Sequence, residues 1–135
     1  MIYIVQNIVP ILIATLAGLL FGALYDRLRG QPQGVGNATA HSIGFALAAF
    51  IAEAWFAAIL AGALILAPAK GGAWTMALGS AVVIWIGFVM PALVVTLRYR
   101  GLPWRVVMLD CGHWLGLMLV QAVVLKLVGL TAPVM

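Results

Sequence analysis

Four long apolar runs decide what this chain can become. A helix rises about 1.5 Å per residue and a bilayer's hydrocarbon core is about 30 Å thick, so one crossing takes about 20 mostly apolar residues. The first run, Ile2 to Tyr25, has no charge. The second, Ala38 to Ala67, is interrupted by His41 and Glu53. The third, Ala73 to Leu97, is again uncharged, and the fourth, from Trp104 to about Val128, carries Asp110, His113 and Lys126. No short alternating segments of the kind a membrane barrel needs are present. Helices satisfy their own backbone groups, which hydrocarbon demands. The expectation is an all-α, polytopic transmembrane four-helix bundle in one domain over 1–135, with helices at about 2–27, 38–67, 73–98 and 104–128.

Composition excludes the main alternatives. Hydrophobic residues make up 66% and charged residues 7%, with a mean hydropathy of +1.20. A soluble domain carries about 25% charged residues, so this chain cannot cover a water-facing surface. Disorder needs low hydrophobicity and is excluded for the same reason. Cys111 is the single cysteine, which removes an intrachain disulfide and any paired-cysteine metal motif. The net charge of +4 sits between apolar runs, without an aromatic-interleaved basic cluster. It therefore reads as loops facing an anionic bilayer surface, the lipid bilayer being the partner, and no nucleic acid is expected.

The connections agree. Gly30 to Asn37 is a polar Gly/Pro-rich loop with Thr39 placed to cap the next helix, and Pro68 to Gly72 and Arg98 to Pro103 are short turns. Pro103 suits the first turn of the fourth helix. Pro10 lies early in the first helix, and Pro91 predicts a kink in the third. Ala38-Thr39-Ala40 mimics a signal cleavage site, but the preceding segment lacks a positive start and is too long for a signal core, so a retained helix is expected. Arg27, Arg29, Arg98, Arg100 and Arg105 fall on one side, and Lys70 and Lys126 on the other. The positive-inside rule then puts both termini on the non-cytoplasmic side. Tyr25, Tyr99 and Trp104 mark one boundary, and Tyr3 and Trp74 the other.

Ionisable residues inside a span are the default functional candidates. Glu53 lies about 21 Å into the second helix, His113 about 14 Å and Asp110 about 9 Å into the fourth. Asp110 and His113 are spaced i, i+3 and share a face, which Gln121 continues two turns on. Glu53, Asp110, His113 and Gln121 are thus the candidate polar cavity, fit for a proton relay or a small ligand. The plain alternative is helix-to-helix glue, with Glu53 neutral and hydrogen-bonded and Asp110 paired to Arg105 or meeting water. His41 reads as interfacial. A metal or haem site would need His41, His113 and Asp110, whose depths of about 5, 14 and 9 Å match poorly, so neither metal nor cofactor is expected. Ser42, Ser80 and Cys111 lack a nucleophile's setting, no reactive constellation is complete, and no enzyme is expected. Cys111 reads as apolar packing, and Trp55 and Trp85 as core or lipid-facing residues.

Small residues form the other signal. Gly18 and Gly22 on the first helix and Gly112 and Gly116 on the fourth are Gly-xxx-Gly pairs, and the second helix has Ala48, Ala52, Ala57 and Ala61. These allow close helix packing and fit a homo-oligomer or a larger membrane complex.

Gly18-Leu19-Leu20-Phe21-Gly22-Ala23-Leu24-Tyr25 closes the first helix, and Pro103-Trp104-Arg105 through Asp110-Cys111-Gly112-His113-Trp114-Leu115 opens the fourth. On these stretches, and on length and helix spacing, the chain resembles a bacterial domain-of-unknown-function family of small four-helix integral membrane proteins. Where that family usually has a Trp-aromatic pair followed by Pro after the first helix, this chain has Tyr25-Asp26-Arg27. The resemblance implies the fold and a multi-pass place in the bacterial inner (cytoplasmic) membrane, and it transfers no catalytic residue. Two functions are then expected to compete. One is a small membrane protein that binds or translocates a small solute, lipid-like ligand or proton at Glu53 and His113. The other is an accessory or assembly subunit whose polar residues only pack. The size is similar to that of small multidrug transporters, but their key glutamate is on the first helix, and the first run here is uncharged.

Overall fold

The computed structural model describes residues 2–29, 43–67 and 72–131. Among these, all regular structure is helical: α1 (Ile2–Gln6), α2 (Ile8–Arg29), α3 (Ile43–Leu66), α4 (Ala73–Ile84), a π-helical turn (Trp85–Val89), α5 (Met90–Tyr99) and α6 (Trp104–Val128). Four continuous helical stretches are long and apolar enough to cross a membrane: Ile8–Arg29, Ile43–Leu66, Ala73–Tyr99 and Trp104–Val128. This is the architecture of a multi-pass membrane protein. The second helix is seen from Ile43, and the expected start at 38, the Thr39 cap, His41, Ser42 and Lys70 lie outside the described residues.

Two helices depart from a simple rod, and proline is the cause in each. The expected first helix is divided at Asn7. Pro10 has no N–H to give the carbonyl of Gln6 and its ring crowds that carbonyl. The ladder still holds through Asn7, which donates to Tyr3 O at 2.9 Å and accepts from Ile11 at 3.0 Å. In the third helix Pro91 likewise cannot bond back to Gly87. The chain inserts a π turn before it, in which Met90 N–H reaches back to Trp85 O. The predicted kink thus takes the form of a one-residue bulge, and the bulge swings the Trp85 indole onto α6, where Nε1 donates to Cys111 O at 2.9 Å.

The fourth crossing, α6, is the hub. It packs against α2, α3, α4, the π turn and α5, whereas α2 touches α3 and α6 but not the third crossing. Within its most apolar 18-residue stretch 33% of α6 is buried, against 11% for the Ala73–Tyr99 helix. The central core is small-residue rich: Ala14, Ala57, Ala61 and Ala122 let the helices approach, and Ile11, Leu60, Leu117, Met118 and Leu125 fill between them. A second cluster, Leu97, Val107 and Cys111, seals α5 to α6, so Cys111 packs as its apolar setting predicts. Trp55 faces outward, as do Leu20, Ile51, Val83 and Phe88, which suits a hydrocarbon surround.

A polar seam between the first and fourth helices

The helices α2 and α6 run antiparallel along one seam, and each step up α2 meets a step down α6. At one end Asn7 clasps Thr131: its Nδ2 donates to Thr131 O at 2.8 Å, and Thr131 N–H donates back to its Oδ1 at 2.6 Å. Gly18 faces Gln121, Phe21 faces Gly116, Gly22 faces His113, and Tyr25 faces Gly112. At the other end Arg29 donates to Asp110 at 2.5 Å.

The four predicted glycines sit on this seam, where the expected close helix packing takes a particular form. Each is a socket for a neighbour's side chain. A Cβ on Gly18 would lie 2.6 Å from Glu53 Oε1 and 3.1 Å from Gln121 Nε2. One on Gly22 would lie 2.9 Å from His113 Nε2, and one on Gly112 3.1 Å from the Tyr25 hydroxyl. On Gly116 it would run into the Phe21 ring. Two sockets on α2 thus accept polar groups from α3 and α6, and two on α6 accept aromatics from α2.

All four candidate residues belong to this seam. Glu53 is 5% exposed and reaches from α3 to Gly18. Gln121 is fully buried, and its Nε2 donates to the backbone O of Glu53 at 3.0 Å. Neither Glu53 Oε1 nor Gln121 Oε1 has a hydrogen-bond partner among the described residues. One turn along α2, about 5–6 Å away, His113 fills the Gly22 socket. Its ring stands edge-on to Tyr25 at 5.4 Å and to Trp114 at 5.6 Å. Tyr25 is held by its hydroxyl, which donates to Leu109 O at 2.9 Å. Three side chains from two helices, Glu53 of α3 and Gln121 and His113 of α6, therefore converge on consecutive turns of the glycine face of α2.

Asp110 differs from expectation in its partner. It pairs with Arg29, whose side chain is only 8% exposed, and not with Arg105. Arg105 lies five residues back on the same helix, about 140° around, and it is exposed. Arg29 also approaches Asp26 at 4.0 Å. Sequence reasoning missed Arg29, Tyr25, Asn7 and Thr15. The signal for the first two was available: aligning the two Gly-xxx-Gly motifs antiparallel brings Tyr25 and Arg29 opposite the start of α6. Thr15, fully buried, returns its hydroxyl to Ile11 O at 2.7 Å and gave no signal beyond polarity.

Among the described residues no group of three or more His, Cys, Asp or Glu side chains is placed to hold a metal ion. A separate cleft lies at the C-terminal ends of α3 and α6, lined by Leu64, Ile65, Leu125, Lys126, Gly129 and Leu130, away from the candidate residues except through α6 itself. The seam offers a buried carboxyl, an amide and an imidazole in sequence, leading in from an ion pair. That set can accept, hold and pass hydrogen bonds or a proton, but it holds no complete nucleophile-and-base pair.

Comparison with curated proteins and with solved structures gives no significant match. A family model described as a protein of unknown function, DUF1761, matches residues 9–126, which takes in the seam from Arg29–Asp110 to Gly18–Gln121 but not the Asn7–Thr131 clasp. The chain belongs to the DUF1761 family.

Proposed function

We propose that this chain is a non-enzymatic multi-pass protein of the bacterial inner membrane that binds or translocates a small solute or proton at the seam of α2, α3 and α6. The observation that carries this is the convergence of Glu53, Gln121 and His113 on the Gly18–Gly22 face. Helix-to-helix glue accounts for a polar side chain by the bond it makes. It does not by itself account for Glu53, whose buried Oε1 has no donor among the described residues and is satisfied only if the junction takes up a proton. Polar groups lead inward from Arg29–Asp110 past His113 to Glu53–Gln121, and beyond them the apolar, buried Ile11 and Leu125 belong to the core cluster. A line that stops partway suits a binding site reached from one face, and passage to the other needs a rearrangement or a second copy. The loop arginines support an inward-facing Arg29–Asp110 end with both termini outside. The test is uptake of protons or candidate solutes in proteoliposomes. Glu53→Gln should lower uptake at least tenfold, and equal uptake by variant and wild type removes this reading.

One observation favours the accessory-subunit reading as a second. Gly79 and Gly87 lie on the third crossing, the least buried, and a Cβ on either would meet nothing within 4 Å. These glycines open onto helix surface that this chain leaves uncovered, as a helix of a larger complex would cover. Purification in mild detergent decides: a different protein in fixed ratio favours the subunit, and a homodimer alone counts against it.

A further inference from the structure

We infer that the junction of Glu53, Gln121 and Gly18 is a proton-binding site, in which Glu53 carries a proton and donates it to Gln121 Oε1. This rests on the proposed binding role of the seam and names its ligand there.

The argument begins with the amide of Gln121. Its Nε2 donates to the Glu53 backbone O at 3.0 Å, and this fixes which end of the amide is oxygen. The remaining Oε1 can only accept. It is buried without a donor, and so is Glu53 Oε1. Were Glu53 ionised, a full negative charge and two unpartnered acceptors would share an apolar junction. A single proton on Glu53 removes the charge and turns one of the two acceptors into a donor.

Among the described residues no other group is placed to satisfy the pair. From α2 the facing residue is Gly18, and the charges of that helix, Asp26, Arg27 and Arg29, stand at its far end. Arg29 is committed to Asp110 and Asp26. From α6, His113 fills the next socket against Tyr25, and Lys126 lines the separate cleft. Arg105 and Asp110 are on the first turns of α6. Neither α1 nor α4 contributes a charged residue, and Tyr3 of α1 gives its hydroxyl to Ala58 O at 3.1 Å. Size narrows the ligand further. A Cβ on Gly18 would be 2.6 Å from Glu53 Oε1, so both side chains already rest on the α2 backbone. A proton is the one ligand that needs no displacement of either side chain from that backbone.

The test is infrared spectroscopy of the full chain in lipid bilayers at neutral pH. Glu53 is the only glutamate, and Asp26 and Asp110 are the only other side-chain carboxyls. Carbon-13 glutamate therefore marks this one carboxyl group without a mutation. The expected result is a protonated-carboxyl C=O band that shifts with the label and disappears in Glu53→Gln. In Gln121→Leu it should move to higher frequency as the acceptor is lost. Label-sensitive intensity confined to the ionised-carboxylate bands overturns the inference, and the labelled wild type alone decides it if a variant does not fold. The result separates from the transport test. A protonated band with uptake indifferent to Glu53 keeps the proton site and removes the transport role. An ionised band with Glu53-dependent uptake does the reverse.

Discussion

A glycine normally reads as missing a side chain, but here Gly18, Gly22, Gly112 and Gly116 are defined by what enters them. That ranks their substitutions. Gly18→Ala forces the Glu53 carboxyl and the Gln121 amide off the α2 backbone, and Gly116→Ala displaces the Phe21 ring. Each should cost about 1–3 kcal/mol, the usual range for overpacking a filled site. Gly112→Ala meets only the Tyr25 hydroxyl at 3.1 Å and should cost less. Gly79→Ala meets nothing and should be neutral within about 0.5 kcal/mol. Reversible unfolding in mixed micelles measures all four, and a flat ranking would contradict the socket description. At this scale the sequence was half legible. Glu53, Asp110, His113 and Gln121 stood out as polar exceptions in apolar runs, and the i, i+3 spacing put Asp110 and His113 on one face. The destination of each side chain was not legible, because periodicity gives a direction around a helix and not the neighbour found there.

Between elements, the pairing of α2 with α6 turns on the Arg29–Asp110 contact. The Arg29 side chain is 8% exposed and that of Asp110 28%, so the pair is partly screened at its acidic member. Removing Asp110 leaves a sheltered guanidinium with only Asp26 at 4.0 Å. We expect Asp110→Asn and Arg29→Gln each to lose about 1–3 kcal/mol and the double variant to lose less than their sum. Arg105→Gln should change stability by under about 0.5 kcal/mol. A double-variant cycle by the same unfolding assay checks this, and additive losses would mean that the two groups do not interact. Arg105 was the natural expectation from sequence because it is near in the chain. The true partner is near only once the antiparallel pairing is known. The third helix tells a similar story: Pro91 announced a disruption, but its repair by a π turn follows from the local hydrogen-bond ladder, which hydropathy does not encode.

For the whole molecule, hydropathy counted the crossings correctly and also held an unused clue to their arrangement. Over its most apolar 18 residues the fourth helix has the lowest mean hydropathy of the four, 1.6, and is the most buried, while the third has the highest, 2.3, and is the least buried. In hydrocarbon the more polar helix gains by being surrounded with protein, so the order is physical. The proposed topology predicts that alkaline phosphatase fused after Met135 is active and that a fusion in the loop after Tyr99 is inactive. The opposite pattern would invert the positive-inside assignment. One last consequence comes from the seam itself. Its occupants and sockets advance together like the teeth of a zip, clasped by Asn7–Thr131 at one end and Arg29–Asp110 at the other. Deleting a single residue midway along either helix would turn the remainder by about 100° and slide it by about 1.5 Å, so every tooth past the cut would miss its slot. These two helices can therefore drift in composition but not in length, and size variation among kindred chains should collect in the connecting loops.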